Sequence, residues 1–169
     1  MNLQDKINSE HSKEVCAEIV QWIGDNQKRF DELFKIFTGP DKKLSQRAGW
    51  PMSYAAMAHP PFMKKHIGTL LENLKNENLH DAIKRNSVRL LQVVPIPKKH
   101  LGTALTICFD YIQSPTEKPA IKAFSLTIIE NISKEYPDIK PELKTIIEDR
   151  WHYESAAFKS RAKKILRSL

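Results

Sequence analysis

At 169 residues and 41% hydrophobic composition the chain can bury about 70% of its unfolded surface without disulfide or metal, and Cys16 and Cys108 sit in apolar-periodic segments as small buried hydrophobes do. Lysine and arginine exceed aspartate and glutamate by 27 to 20, a net charge of +7 that favours anionic or acidic partners without requiring nucleic acid. Five glycines and ten prolines, the latter lying between periodic stretches, argue against a many-stranded sheet; no apolar run approaches the ~18 residues of a membrane span, and a cytoplasmic location is expected.

Met1 to Ser12 reads as polar and without an apolar core segment. Val15, Ile19, Trp22 and Ile23, then Phe30, Leu33, Phe34 and Phe37, recur at helical spacing and predict a first helix pair closed by Gly39-Pro40, an N-terminal cap over residues 1–41. A third helix is predicted from Lys42 to Ala58, with Pro51 inside it and His59-Pro60-Pro61 ending it. Met63, Ile67, Leu70, Leu71 and Leu74 mark a fourth; Ile83, Ser87, Leu90, Leu91 and Val94 a fifth. Leu101, Ala104, Leu105, Cys108, Phe109 and Ile112 form the stripe of a sixth, and Ile121, Phe124, Ser125, Ile128, Ile129 and Ile132 that of a seventh. Leu143, Ile146, Ile147 and Trp151 carry an eighth, and Phe158, Ala162, Ile165, Leu166 and Leu169 a ninth, with Ser155 as its N-cap. The reading is a single all-α domain of about nine helices, whose short links force neighbours antiparallel.

Two internal repeats run through it. Gln46-Arg47-Ala48, Lys84-Arg85-Asn86, Ile121-Lys122-Ala123 and Ser160-Arg161-Ala162 share a register, with steps of 38, 37 and 39 between the central cations. Lys64-Lys65-His66-Ile67-Gly68-Thr69 recurs as Lys98-Lys99-His100-Leu101-Gly102-Thr103, a step of 34. A helix with a basic residue, a proline-containing turn and an apolar helix, repeated at this spacing over residues 42–169, resembles the HEAT and armadillo repeats. The resemblance implies an α-α superhelix whose paired helices bury their stripes against the next pair.

The candidate binding residues follow from the repeats. Arg47, Arg85, Lys122 and Arg161 form either a cationic ladder for a polyanion or acidic partner, or a structural ladder bonded to adjacent repeats; Arg89, one turn beyond Arg85, adds a like-charge pair that an anion would relieve. Lys64, Lys65, Lys98 and Lys99 stand at helix N-termini, where the macrodipole favours anions, and read either as phosphate or carboxylate contacts or as solvated rim lysines. Trp50, between Gly49 and Pro51, is either a stacking platform or inter-repeat packing, as are Tyr54, Trp22 and Trp151.

The chain contains no H-E-x-x-H, C-x-x-C, Walker A or G-x-S-x-G motif. It also resembles, in architecture, the HEAT-like DNA alkylation-repair glycosylases, but no catalytic residue of theirs maps onto it, and a fold alone transfers no activity. The expectation is therefore a non-enzymatic monomeric binding module without cofactor, metal or membrane contact. Another protein is the first choice of partner, and the phosphate backbone of DNA or RNA the alternative.

Overall fold

Side-chain caps set the beginnings of most helices. In a computed structural model describing residues 1–169, the side chains of Asn2, Ser12, Asn26, Asp41, His80 and Ser155 each accept a hydrogen bond from a first-turn backbone N–H. Pro119 opens its helix from the first turn, where its missing N–H costs nothing. The resulting helices are α1 Leu3–Ser9, α2 Lys13–Ile23, α3 Gln27–Phe37, α4 Lys42–Ala58, α5 Ile67–Leu74, α6 Asp81–Leu91, α7 Leu101–Gln113, α8 Pro119–Glu135, α9 Lys140–Arg150 and α10 Ala156–Ser168, with short 3-10 turns between some of them and no strand. The fold class is all-α, of the helical-repeat kind.

The helices fall into two compact units, Met1–Pro97 and Lys98–Leu169. In the first, α4 is central: α1, α2, α3 and α6 all pack on it. Its buried residues are Pro51, Met52 and the small Ser45, Ala48, Gly49, Ser53, Ala55 and Ala56, so neighbours can approach from several sides. Gly49 shows how closely. A Cβ there would lie 2.8 Å from Asn86 Nδ2 and 3.3 Å from Phe37 Cε2, so the missing side chain is what lets α6 seat against α4. Asn86, itself buried, donates to the Ala82 carbonyl at 2.9 Å. Helix α4 runs continuously through Pro51.

In the second unit α8 packs against α7, α9 and α10, and buries Ile121, Leu126, Ile128 and Ile129 almost completely. It also buries a lysine, Lys122, whose ammonium pairs with Glu154 and donates to the Ser114 carbonyl at 2.6 Å. Glu154 in turn receives Arg150 at 2.8 Å, so the buried carboxylate faces two cations.

Three expectations need correction. The N-terminal segment is not merely polar: Leu3 and Ile7, one helical turn apart, are each 1% exposed, so α1 is a docked tenth helix. The stripe of α7 is rotated, because Ile107 is buried while Leu101 and Leu105 are half-buried. Residues 60–63 form a 3-10 turn and α5 starts only at Ile67.

Candidate functional site

Helices α2, α4 and α6 of the first unit pack side by side, with α4 in the middle. Their exposed edges enclose two adjoining pockets that share Trp50 and Tyr54 as a common wall. One turn apart on α4, these two aromatics project from the same face. Trp50 is half-buried with its ring 5.7 Å from that of His11, and Tyr54 is 41% exposed.

On the α2 side lies a pocket of about 350 Å³, floored by Cys16, Ala17 and Val20 and edged by Lys13 and Gln21. It is almost entirely carbon-lined. Burial pushes the Cys16 thiol up to about 11, so it stays protonated at neutral pH and serves as a small apolar surface, not a nucleophile. On the α6 side lies a pocket of about 380 Å³, where Gln46, Arg85, Asn86 and Arg89 join the aromatic wall. Arg89 is already held: its guanidinium carbon sits 4.7 Å above the Tyr54 ring and Nη2 donates to Tyr54 Oη at 3.2 Å. Hydrogen bonds from Arg89 and then Trp50 hold the Tyr54 phenol below the ordinary tyrosine range. Arg85, one turn earlier on the same helix, is exposed at the pocket.

No carboxylate lines either pocket, whereas Lys13, Arg85 and Arg89 do. The cleft is therefore cationic, with an apolar compartment on one side and an arginine pair on the other. It holds no set of His, Cys, Asp and Glu suited to a metal ion, and nothing in it joins an activated nucleophile to a base.

The family model of the HEAT repeat domain matches residues 3–169. The chain belongs to the HEAT-repeat family. Comparison with curated proteins and with solved structures gives no match. As a HEAT-repeat protein it is a repeat-based interaction module, of a family that is generally a non-catalytic scaffold. No helix is long and apolar enough to cross a membrane.

Within this HEAT-repeat chain the residues singled out from the sequence part company. Trp50, Arg85 and Arg89 come together in the cleft. Arg47 lies beside it but is turned inward, its Nη1 donating to the carbonyls of Asn8 at 2.8 Å and Ile7 at 3.5 Å, which end α1. Lys65 and His66 stand in the turn before α5 and meet Asp31 at 2.6 Å each, while Lys64 is exposed. Burial alone would raise Asp31, but the bonds from Lys65, His66 and Gln27 outweigh it and hold the carboxyl below its usual range. In the second unit Lys98 and Lys99 are exposed in a 3-10 turn, Lys122 is buried on Glu154, and half-buried Arg161 donates to Thr127 Oγ1.

Of the other aromatics, Trp22 is half-buried under the Arg29 guanidinium at 5.0 Å, and Trp151 is half-buried in the turn after α9. The residues the sequence did not point to are His11, Lys13 and the Cys16-Ala17-Val20 floor. For Ala17 and Val20 the signal was that Val15, Ile19 and Ile23 fill the core-facing side of α2 and leave these two as apolar residues beyond it; His11 and Lys13 gave none.

Proposed function

We propose that the protein is a non-catalytic adaptor that binds another protein through the cleft between α2, α4 and α6. The carrying observation is that Trp50 and Tyr54 form the shared wall between an apolar pocket on the α2 side and a pocket on the α6 side lined by Arg85 and Arg89. Tryptophan, tyrosine and arginine beside a desolvated pocket are the residues in which protein interfaces concentrate binding energy. The alternative, a phosphate-backbone binder, needs a run of free cations to neutralise successive phosphates. Here Arg47 is engaged by backbone carbonyls and Lys122 by Glu154, so the register of residues 47, 85, 122 and 161 does not supply such a run, and the exposed Lys64, Lys98 and Lys99 would have to carry that reading.

The test is site-specific photo-crosslinking in the source cell from Gln21, exposed at the rim of the apolar pocket, with Lys163 on α10 as an exposed control position. The expected result is a discrete protein adduct at Gln21 that is absent at Lys163 and lost when Trp50→Ala is added. Adducts to nucleic acid, or none specific to Gln21, would overturn this reading.

A further inference from the structure

We infer that the partner of this cleft is an acidic peptide segment carrying one bulky apolar side chain, which fills the pocket between α2 and α4 while neighbouring carboxylates meet Arg85 and Arg89. The inference rests on the proposed adaptor role and specifies the chemistry the partner must have.

The two compartments make separate demands. Two arginines one turn apart on α6 repel each other, and no carboxylate lining either pocket relieves them. Arg89 is pre-ordered on Tyr54, so presenting its remaining donors costs little further side-chain entropy. Arg85 stands one turn away, exposed at the same pocket. Side chains at this spacing lie about 5–6 Å apart at Cβ, near the separation of alternate residues on an extended strand or of i, i+4 residues on a helix. Two carboxylates of one peptide therefore reach both guanidiniums, and each planar fork donates paired hydrogen bonds to a carboxylate.

The apolar compartment decides between a peptide and a nucleic acid. Its floor of Cys16, Ala17 and Val20 offers almost no hydrogen-bonding group. A base placed there would lose water from its ring nitrogens and exocyclic groups and gain no partner. A phenylalanine or leucine side chain loses nothing polar and gains the burial. The Lys13 ammonium at the rim adds positive charge where the flanking acidic residues would pass, and its methylenes extend the apolar wall.

The test is fluorescence anisotropy of the full chain with labelled probes: a peptide alternating glutamate and serine around a single phenylalanine, the same peptide with glutamine for every glutamate, the same with alanine for phenylalanine, and an oligothymidylate. The first peptide is expected to bind with micromolar affinity that weakens as salt is raised, and each altered peptide at least about tenfold more weakly. Arg85→Gln, at an exposed position that leaves the core intact, is expected to remove about tenfold for the acidic peptide and nothing for the glutamine one. Ala17→Trp, also exposed, fills the pocket and is expected to abolish the preference for phenylalanine over alanine.

Equal affinity for the acidic and glutamine peptides, no effect of Arg85→Gln, or tighter binding of oligothymidylate overturns the inference. If a protein adduct at Gln21 persists while the acidic peptide fails to bind, the acidic-partner chemistry alone is wrong. Loss of both removes the adaptor reading as well.

Discussion

Arg89 lies over the ring of Tyr54 at 4.7 Å and donates to its oxygen at 3.2 Å, which ties α6 to α4 across the cleft. The bond and the cation both favour phenolate, so Tyr54 ionises at lower pH than an ordinary tyrosine. Removing the guanidinium reverses the sign: Arg89→Gln is expected to move the Tyr54 transition upward. Difference absorbance of phenolate during an alkaline titration, with Tyr54→Phe identifying the transition, reads this directly. A Tyr54 transition at the same pH in both proteins would show that Arg89 does not act on the phenol.

The approach of α6 to α4 depends on Gly49. Glycine to alanine inside a helix ordinarily stabilises by about 1 kcal/mol, but here the new Cβ would stand 2.8 Å from Asn86 Nδ2. Asn86 would have to move and give up its bond to Ala82, and the overpacking cost of about 1–3 kcal/mol exceeds the helical gain. Gly49→Ala is therefore expected to lower the urea midpoint, and Gly49→Ala with Asn86→Ala to recover part of the loss. Stabilisation by the single substitution would show that α6 shifts freely.

The buried pair in the second unit is asymmetric. Glu154→Leu leaves the Lys122 ammonium with the Ser114 carbonyl alone, in a side chain 3% exposed, and is expected to cost about 3–5 kcal/mol in chemical denaturation. Lys122→Met leaves Glu154 still paired with Arg150 and is expected to cost less, about 1–3 kcal/mol. Equal costs would mean that Arg150 does not compensate.

Lys122 also shows what the repeat register could and could not reveal. The sequence places Arg47, Arg85, Lys122 and Arg161 at equivalent positions, and the structure puts each within the first six residues of its helix, α4, α6, α8 and α10. What each cation touches depends on a different segment: the Asn8 carbonyl for Arg47, Ser114 and Glu154 for Lys122, Thr127 for Arg161. Those partners lie about 32–40 residues away or in loops with no periodicity, so register alone cannot separate the cation at the cleft, Arg85, from those facing inward. The aromatic wall was more legible, because Trp50 and Tyr54 share a helix face. The apolar floor on α2 was not, since a short helix with two apolar sides reads as core throughout.

Helix phase had a similar limit in α7. Leu101, Ala104, Leu105, Ile107, Cys108, Phe109 and Ile112 spread around most of the helix, so periodicity admits more than one buried stripe. With Leu105 half-buried and Ile128 of α8 1% exposed, aspartate at the two positions is expected to act very differently. Ile128→Asp should cost more than about 4 kcal/mol and abolish cooperative folding, and Leu105→Asp about 1 kcal/mol. Thermal melts distinguish them, and comparable losses at both sites would place Leu105 in the core.

Helix α1 escaped the sequence because seven residues carrying only Leu3 and Ile7 make no recognisable period, and so short a helix is not stable alone. It exists because both side chains are buried and because Arg47 satisfies the carbonyls of Ile7 and Asn8 at its end. Such an element can undock without unfolding the rest. Arg47→Met is therefore expected to accelerate amide exchange in residues 3–9 while leaving the protection of α4 and α8 nearly unchanged. Leu3→Ala is expected to do the same, with a global cost below the about 2–5 kcal/mol of a core truncation, because undocking limits the penalty. His11, which follows α1 and packs on Trp50, should be loosened with it, so the tryptophan environment of the cleft should change in both variants. Uniform acceleration across α1, α4 and α8 would show instead that α1 belongs to one cooperative unit with the repeat core.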